Sequence, residues 1–186
     1  MKYILSILMI VGLTLSSYSK SKEVGENIDV THYEIHLNEI NVADRIIDAT
    51  TIITLKTLTS IDGIELELKS LDVTSVTSDD AIINNFSQNG DVLSVTFGNT
   101  VTANTTISLT VNYGGTTFNE NWGGIHWSND YVYNLGVGFD SQPHNLGKTW
   151  FPCVDNFTDK ASFDLYITYP DNMLSSCGGL LSATTD

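Results

Sequence analysis

The sequence predicts an all-β fold, an antiparallel β-sandwich. Three observations carry this: apolar and polar residues alternate strictly in many short runs, Thr, Ile and Val are abundant, and Gly, Asn and Asp punctuate the gaps between runs. No long stretch of the mature chain holds the apolar stripe of a helix.

The chain opens with Lys2, an apolar run from Tyr3 to Leu15 and then Ser17-Tyr18-Ser19, which is the pattern of a cleaved export signal over residues 1–19. The run is shorter than the roughly 20 residues that span a bilayer, which argues against a membrane anchor. Residues 20–27 read as a polar linker and 28–186 as a single domain. Within it Tyr33, Ile35 and Leu37 alternate with Glu34, His36 and Asn38, and Ile64, Leu66 and Leu68 with Glu65, Glu67 and Lys69. Leu93, Val95 and Phe97 repeat the pattern, as do Ile107 to Tyr113 and Phe163 to Tyr169. Each run has one apolar and one polar face, so each is a strand half-covered by a core. Fainter strands are expected at 46–57, 73–77, 81–86 and 131–134, with turns at Asp62-Gly63, Asn89-Gly90, Gly114-Gly115 and Pro170-Asp171. Residues 114–148 mix Gly, Trp, Asn and His without alternation and are expected to be irregular, a trait of segments that carry function or contact another body.

The charge balance is 22 Asp and Glu against 8 Lys and Arg, a formal net charge of −14. Such a surface repels phosphate backbones and anionic membranes, so no nucleic-acid partner is expected, nor a membrane once the signal is removed. Cys153 and Cys177 are the only thiols, in a compartment that permits a bridge without requiring one.

Several constellations invite a chemical reading. His32 and His36 flank Glu34, but on a strand their positions are about 13 Å apart at 3.3 Å per residue, too far for one metal ion. His126 and His144, with Asp130 and Asp140, share the irregular segment without any fixed ligand spacing. Cys153 lies among Phe151, Pro152 and Val154, an apolar setting that raises a thiol's pKa and leaves it inert.

The stretch TWFPCVDNFTDKASFDL, from Thr149 to Leu165, resembles the Phe-Pro-Cys-x-Asp-Glu-Pro-x-x-Lys-Ala-x-Phe segment of the aminopeptidase N family of zinc metallopeptidases, peptidase family M1. The match runs through Trp150, Phe151, Pro152, Cys153, Asp155, Lys160, Ala161 and Phe163, while Asn156-Phe157 replace Glu-Pro. Val30 to Val42 is similar to the first strand of that family's amino-terminal domain.

The resemblance implies a sandwich that packs over a thermolysin-like catalytic domain, which would be its partner together with a peptide substrate. That second domain carries Gly-x-Met-Glu-Asn and the zinc motif His-Glu-x-x-His, and neither occurs in this sequence. Zinc is therefore expected in the complete enzyme and no metal or catalytic residue in this stretch. The piece is expected to be truncated within its sandwich and inactive by itself. The family's sandwich also lends a Gln or Glu upstream of the Cys to hold the substrate's amino terminus. The strict spacing falls on Pro143, and a shift of one residue brings Gln142. Phe139 and Trp127 could line the adjoining pocket. A rival reading is a stand-alone adhesion or carbohydrate-binding module that stacks sugars on Trp122, Trp127 and Tyr131.

Overall fold

The computed structural model describes residues 23–129 and 131–185. The expected signal at 1–19, the start of the linker and Asp130 lie outside the described residues. The strands are β1 (Ile28–Asn41), β2 (Ile46–Thr57), β3 (Ile61–Glu67), β4 (Asp72–Thr77), β5 (Ile83–Asn89) and β6 (Val92–Val101). They continue with β7 (Thr106–Thr116), β8 (Asn119–Glu120), β9 (Gly123–Ser128), β10 (Tyr131–Leu135) and β11 (Ser162–Ile167), with a 3-10 turn at Gly147–Thr149.

A five-stranded sheet in the order β11-β1-β2-β7-β4 and a three-stranded sheet β3-β6-β5 enclose one core, and β10-β9-β8 form a third, smaller sheet. The alternation read from the sequence is what fills this core. Val30, Ile35, Ile53, Leu55, Leu109 and Val111 point inward from the larger sheet, and Leu66, Leu93 and Val95 from the sheet opposite. Tyr113 is also fully buried, and its hydroxyl bonds to Thr51 at 3.0 Å and to the Trp150 carbonyl at 2.9 Å. Burial pushes its phenol well above the ordinary range. No helix among the described residues is long and apolar enough to cross a membrane.

The structure corrects four details. β11 runs parallel to β1, from His32 opposite Ser162 to Leu37 opposite Ile167, whereas the other pairings are antiparallel. Asp62-Gly63 and Gly114-Gly115 are not turns but lie inside β3 and β7. There a neighbouring strand passes too close for a side chain: a Cβ on Gly63 would sit 2.4 Å from the Val95 carbonyl, and one on Gly114 2.7 Å from that of Ile47. Residues 114–148 are not irregular throughout, because they supply β8, β9 and β10. Phe163, expected on the core face, is 52% exposed. Its strand is the edge of the five-stranded sheet, where Leu165 packs against the core and Phe163 does not. The turns at Asn89-Gly90 and Pro170-Asp171 are as expected, with Gly90 at φ 59° and Met173 N–H donating to the Pro170 carbonyl.

This burial difference has a measurable consequence. In urea unfolding, Leu93→Ala should cost about 2–5 kcal/mol, because its cavity cannot collapse between two sheets. Phe163→Ala should cost at most about 1 kcal/mol, because half of that ring already meets water.

Candidate functional site

The segment 146–155 forms a strap along the free edge of β3. Glu67 and Cys153 exchange both backbone hydrogen bonds, N–H to O distances of 2.8 and 3.0 Å, and Lys69 N–H donates to the Lys148 carbonyl at 2.7 Å. Side chains lock the strap further. Lys148 Nζ donates to Glu67 Oε1 at 2.7 Å and stands 3.9 Å from Asp155 Oδ2, with all three side chains largely removed from water. Asp155 in turn receives the Gly147 N–H on Oδ1, and its own N–H donates to Glu67 Oε2. Burial alone would pull the Lys148 pKa down, but the Glu67 hydrogen bond and the charges of Glu67, Asp155 and Asp91 outweigh it and raise the ammonium above its ordinary range. The aromatics in front of Cys153 close the other side, with Phe151 packed edge-on against Tyr33 and Trp150. Tyr33 Oη accepts from the Val154 N–H at 3.1 Å.

Cys153 is buried within this strap, and burial, helped by the charges of Asp155 and Glu67, pushes its thiol far up. It is therefore architecture, as its apolar neighbours implied. Cys177 is exposed, and both thiols are free.

Upstream of the strap, residues 136–146 form a loop with a closed neck. Gly138 N–H donates to the His144 carbonyl at 2.7 Å, Leu146 N–H to the Gly136 carbonyl at 3.0 Å, and Val137 faces Asn145 across an antiparallel bridge. Gln142 lies exposed at the tip with its Nε2 3.2 Å from His144 Nε2. Glu120 of β8 braces the same tip: Oε1 accepts the Asp140 N–H at 3.0 Å and Oε2 the Ser141 hydroxyl at 2.5 Å. The Ser141 bond, with the backbone bonds beside it, holds the Glu120 carboxyl below its ordinary range. Sequence reasoning missed Glu120, an isolated carboxylate with no local motif around it.

The other candidates are separated by the fold. His32 lies on β1 beside β11, sharing a 2.8 Å hydrogen bond with Ser162, while His36 bonds Glu34 at 2.7 Å and stacks on Tyr166. His126 bonds the Gly123 carbonyl and stacks on Tyr133, and Asp140 accepts from Asn121. Among the described residues no three His, Cys, Asp or Glu side chains gather as metal ligands, so these residues do not fit a zinc ion. Phe139 is 70% exposed near the loop tip, whereas Trp127 packs against the core and donates Nε1–H to Thr117. Trp122 and Tyr131 are exposed, but they flank opposite ends of β9, about 20 Å apart at 3.3 Å per residue. The three aromatics of the carbohydrate reading do not form one platform.

The sequence matches the family described as peptidase M1 N-terminal domain over residues 29–184. No curated protein matches it. Among solved structures it is similar to an M1 zinc metallopeptidase variant from Deinococcus radiodurans bound to a Tyr-Ser-Ala substrate, with 22% identity, a TM-score of 0.74 and coverage of 88% of this chain and 38% of that one. A two-domain M1 zinc metallopeptidase variant bound to L-arginine gives the same identity and TM-score, with 87% and 37% covered. The M1 zinc metallopeptidase from Deinococcus radiodurans gives 22% and 0.73, with 86% and 36% covered. At that identity the likeness establishes the fold, and the chain spans well under half the length of each of these relatives.

Two outcomes check the strap. A thiol reagent such as DTNB should modify Cys177 at once and Cys153 only when urea is added; immediate labelling of both would show that the strap is loose. Lys148→Met should destabilise the domain by about 3 kcal/mol in urea unfolding, because Glu67 and Asp155 are left buried without their cation.

Proposed function

This chain belongs to the peptidase M1 N-terminal domain family, and from that membership we propose that it is the amino-terminal domain of an exported zinc aminopeptidase, which removes residues from the amino ends of peptides. The observation that carries this reading is the family match over residues 29–184. The basic and apolar pattern of residues 1–19 supports export.

The chain's own contribution is to recognise the substrate rather than to perform chemistry. His-Glu-x-x-His and Gly-x-Met-Glu-Asn do not occur in it, and its described residues do not fit zinc. The metal, which would polarise the scissile carbonyl, belongs to a thermolysin-like catalytic domain outside this sequence. Gln142 supplies an uncharged acceptor on a braced loop, suited to receive a hydrogen bond from the protonated amino terminus of a peptide. Such a contact made only by a chain end restricts cleavage to that end.

The test uses the complete protein with L-alanyl para-nitroanilide as substrate. Zinc-dependent release of nitroaniline is expected, and Gln142→Ala should raise KM roughly 10-fold or more with zinc content unchanged. A complete protein that binds no zinc and releases no product would overturn the aminopeptidase reading. Unchanged kinetics in Gln142→Ala would show that another residue holds the amino terminus.

A further inference from the structure

Where the loop 136–146 enters the strap, three buried polar groups are short of partners. Lys148 Nζ donates to Glu67 Oε1 at 2.7 Å and stands 3.9 Å from Asp155 Oδ2, an ion contact too long for a hydrogen bond. Among the described residues that leaves two ammonium hydrogens without an acceptor, on a side chain only 11% exposed. Asp155 Oδ2 and Asn145 Oδ1 are shut off from bulk solvent and accept no hydrogen bond. Both side chains are more than nine-tenths buried, Asp155 at 9% exposure and Asn145 at 6%. A buried acceptor left bare is costly, and nearly all such groups in folded proteins find a partner.

The amide of Asn145 is not free to turn. Its Nδ2 donates to the Asp155 carbonyl, and a carbonyl oxygen only accepts, so the amide nitrogen belongs there and Oδ1 is the end left over. The two bare oxygens therefore belong to residues already in contact. Asn145 also faces Val137 across the bridge at the neck of the loop, next to the fully buried Leu146.

The chemistry of these groups selects their occupant. A metal cation takes lone pairs only, so it would answer the two oxygens and set a like charge beside the ammonium. A proton shared by the two oxygens would leave the ammonium hydrogens unanswered as well. A water molecule accepts from an ammonium and donates twice, which complements one donor and two acceptors. Two hydrogen bonds of about 2.8 Å through one oxygen span up to about 5.6 Å, so the 3.9 Å between Lys148 and Asp155 lies within reach.

We propose that this junction binds one ordered water, which accepts from Lys148 Nζ and donates to Asp155 Oδ2 and Asn145 Oδ1, tying the end of the loop to the charge cluster of the strap. The site is independent of the aminopeptidase reading above.

The experiment is a crystal structure of the complete protein and of its Asn145→Leu variant, at a resolution that shows ordered solvent. One fully occupied solvent peak is expected within about 3.2 Å of all three atoms, with a displacement factor like that of its neighbours. Asn145→Leu removes one of the two acceptors and should abolish the peak while leaving Lys148 on Glu67. No peak in the unaltered protein overturns the proposal, and that structure decides by itself if the variant does not fold. A peak ringed by five or six oxygens at about 2.3–2.6 Å would be a cation and overturns it too. A peak that persists in Asn145→Leu with its other contacts unchanged removes Asn145 as a ligand, and with it the tie between loop and strap.

Discussion

The pairing of Lys148 with Glu67 and Asp155 is the constraint on which the rest of this domain depends. It puts one cation and two carboxylates into a largely water-free junction, where each charge is tolerable only because the others are there. Its effect is geometric. It ties the strap 146–155 to the edge of β3, so an open strand edge becomes a closed one, and it fixes the point from which the loop 136–146 emerges. Leu146, fully buried, and the exchanged bonds between Glu67 and Cys153 complete the junction. A loop can be positioned accurately only if its base does not move, and here the base is set by buried charge as well as by packing.

Most of the fold was legible because strands half-covered by a core write their burial into the sequence with a period of two. Ile64, Leu66, Leu93 and Val95 are buried where alternation placed them. Glycine misled at two points, since Gly63 and Gly114 mark close approaches inside strands, and a turn glycine looks the same in one dimension. The parallel pairing of β11 with β1 joins segments far apart in sequence, and no local pattern encodes it. Phe163 sits on that edge strand and is half exposed, whereas Leu165, two residues on along the same face, packs against the core.

The site was less legible for a related reason. Gln142 could be singled out only through the family resemblance, and with a shift of one residue; the bracing of its loop comes from Glu120, on another strand. His144 had suggested a metal ligand in sequence, and the fold instead gives it an amide partner. Cys153, chemically the most conspicuous residue, proves to be packing, and the loop proposed to recognise substrate lies upstream of it, with no periodic signal in its sequence.

Amide hydrogen exchange at Cys153 and Lys69 tests the central claim most directly, since both N–H groups donate across the junction between the strap and β3. If the buried charge cluster makes the strap part of the core, these two amides will exchange only through global unfolding, with protection equal to that of the β6 amides at Leu93 and Val95. Exchange as fast as that of an exposed loop would contradict the claim and leave the Gln142 loop without a fixed base.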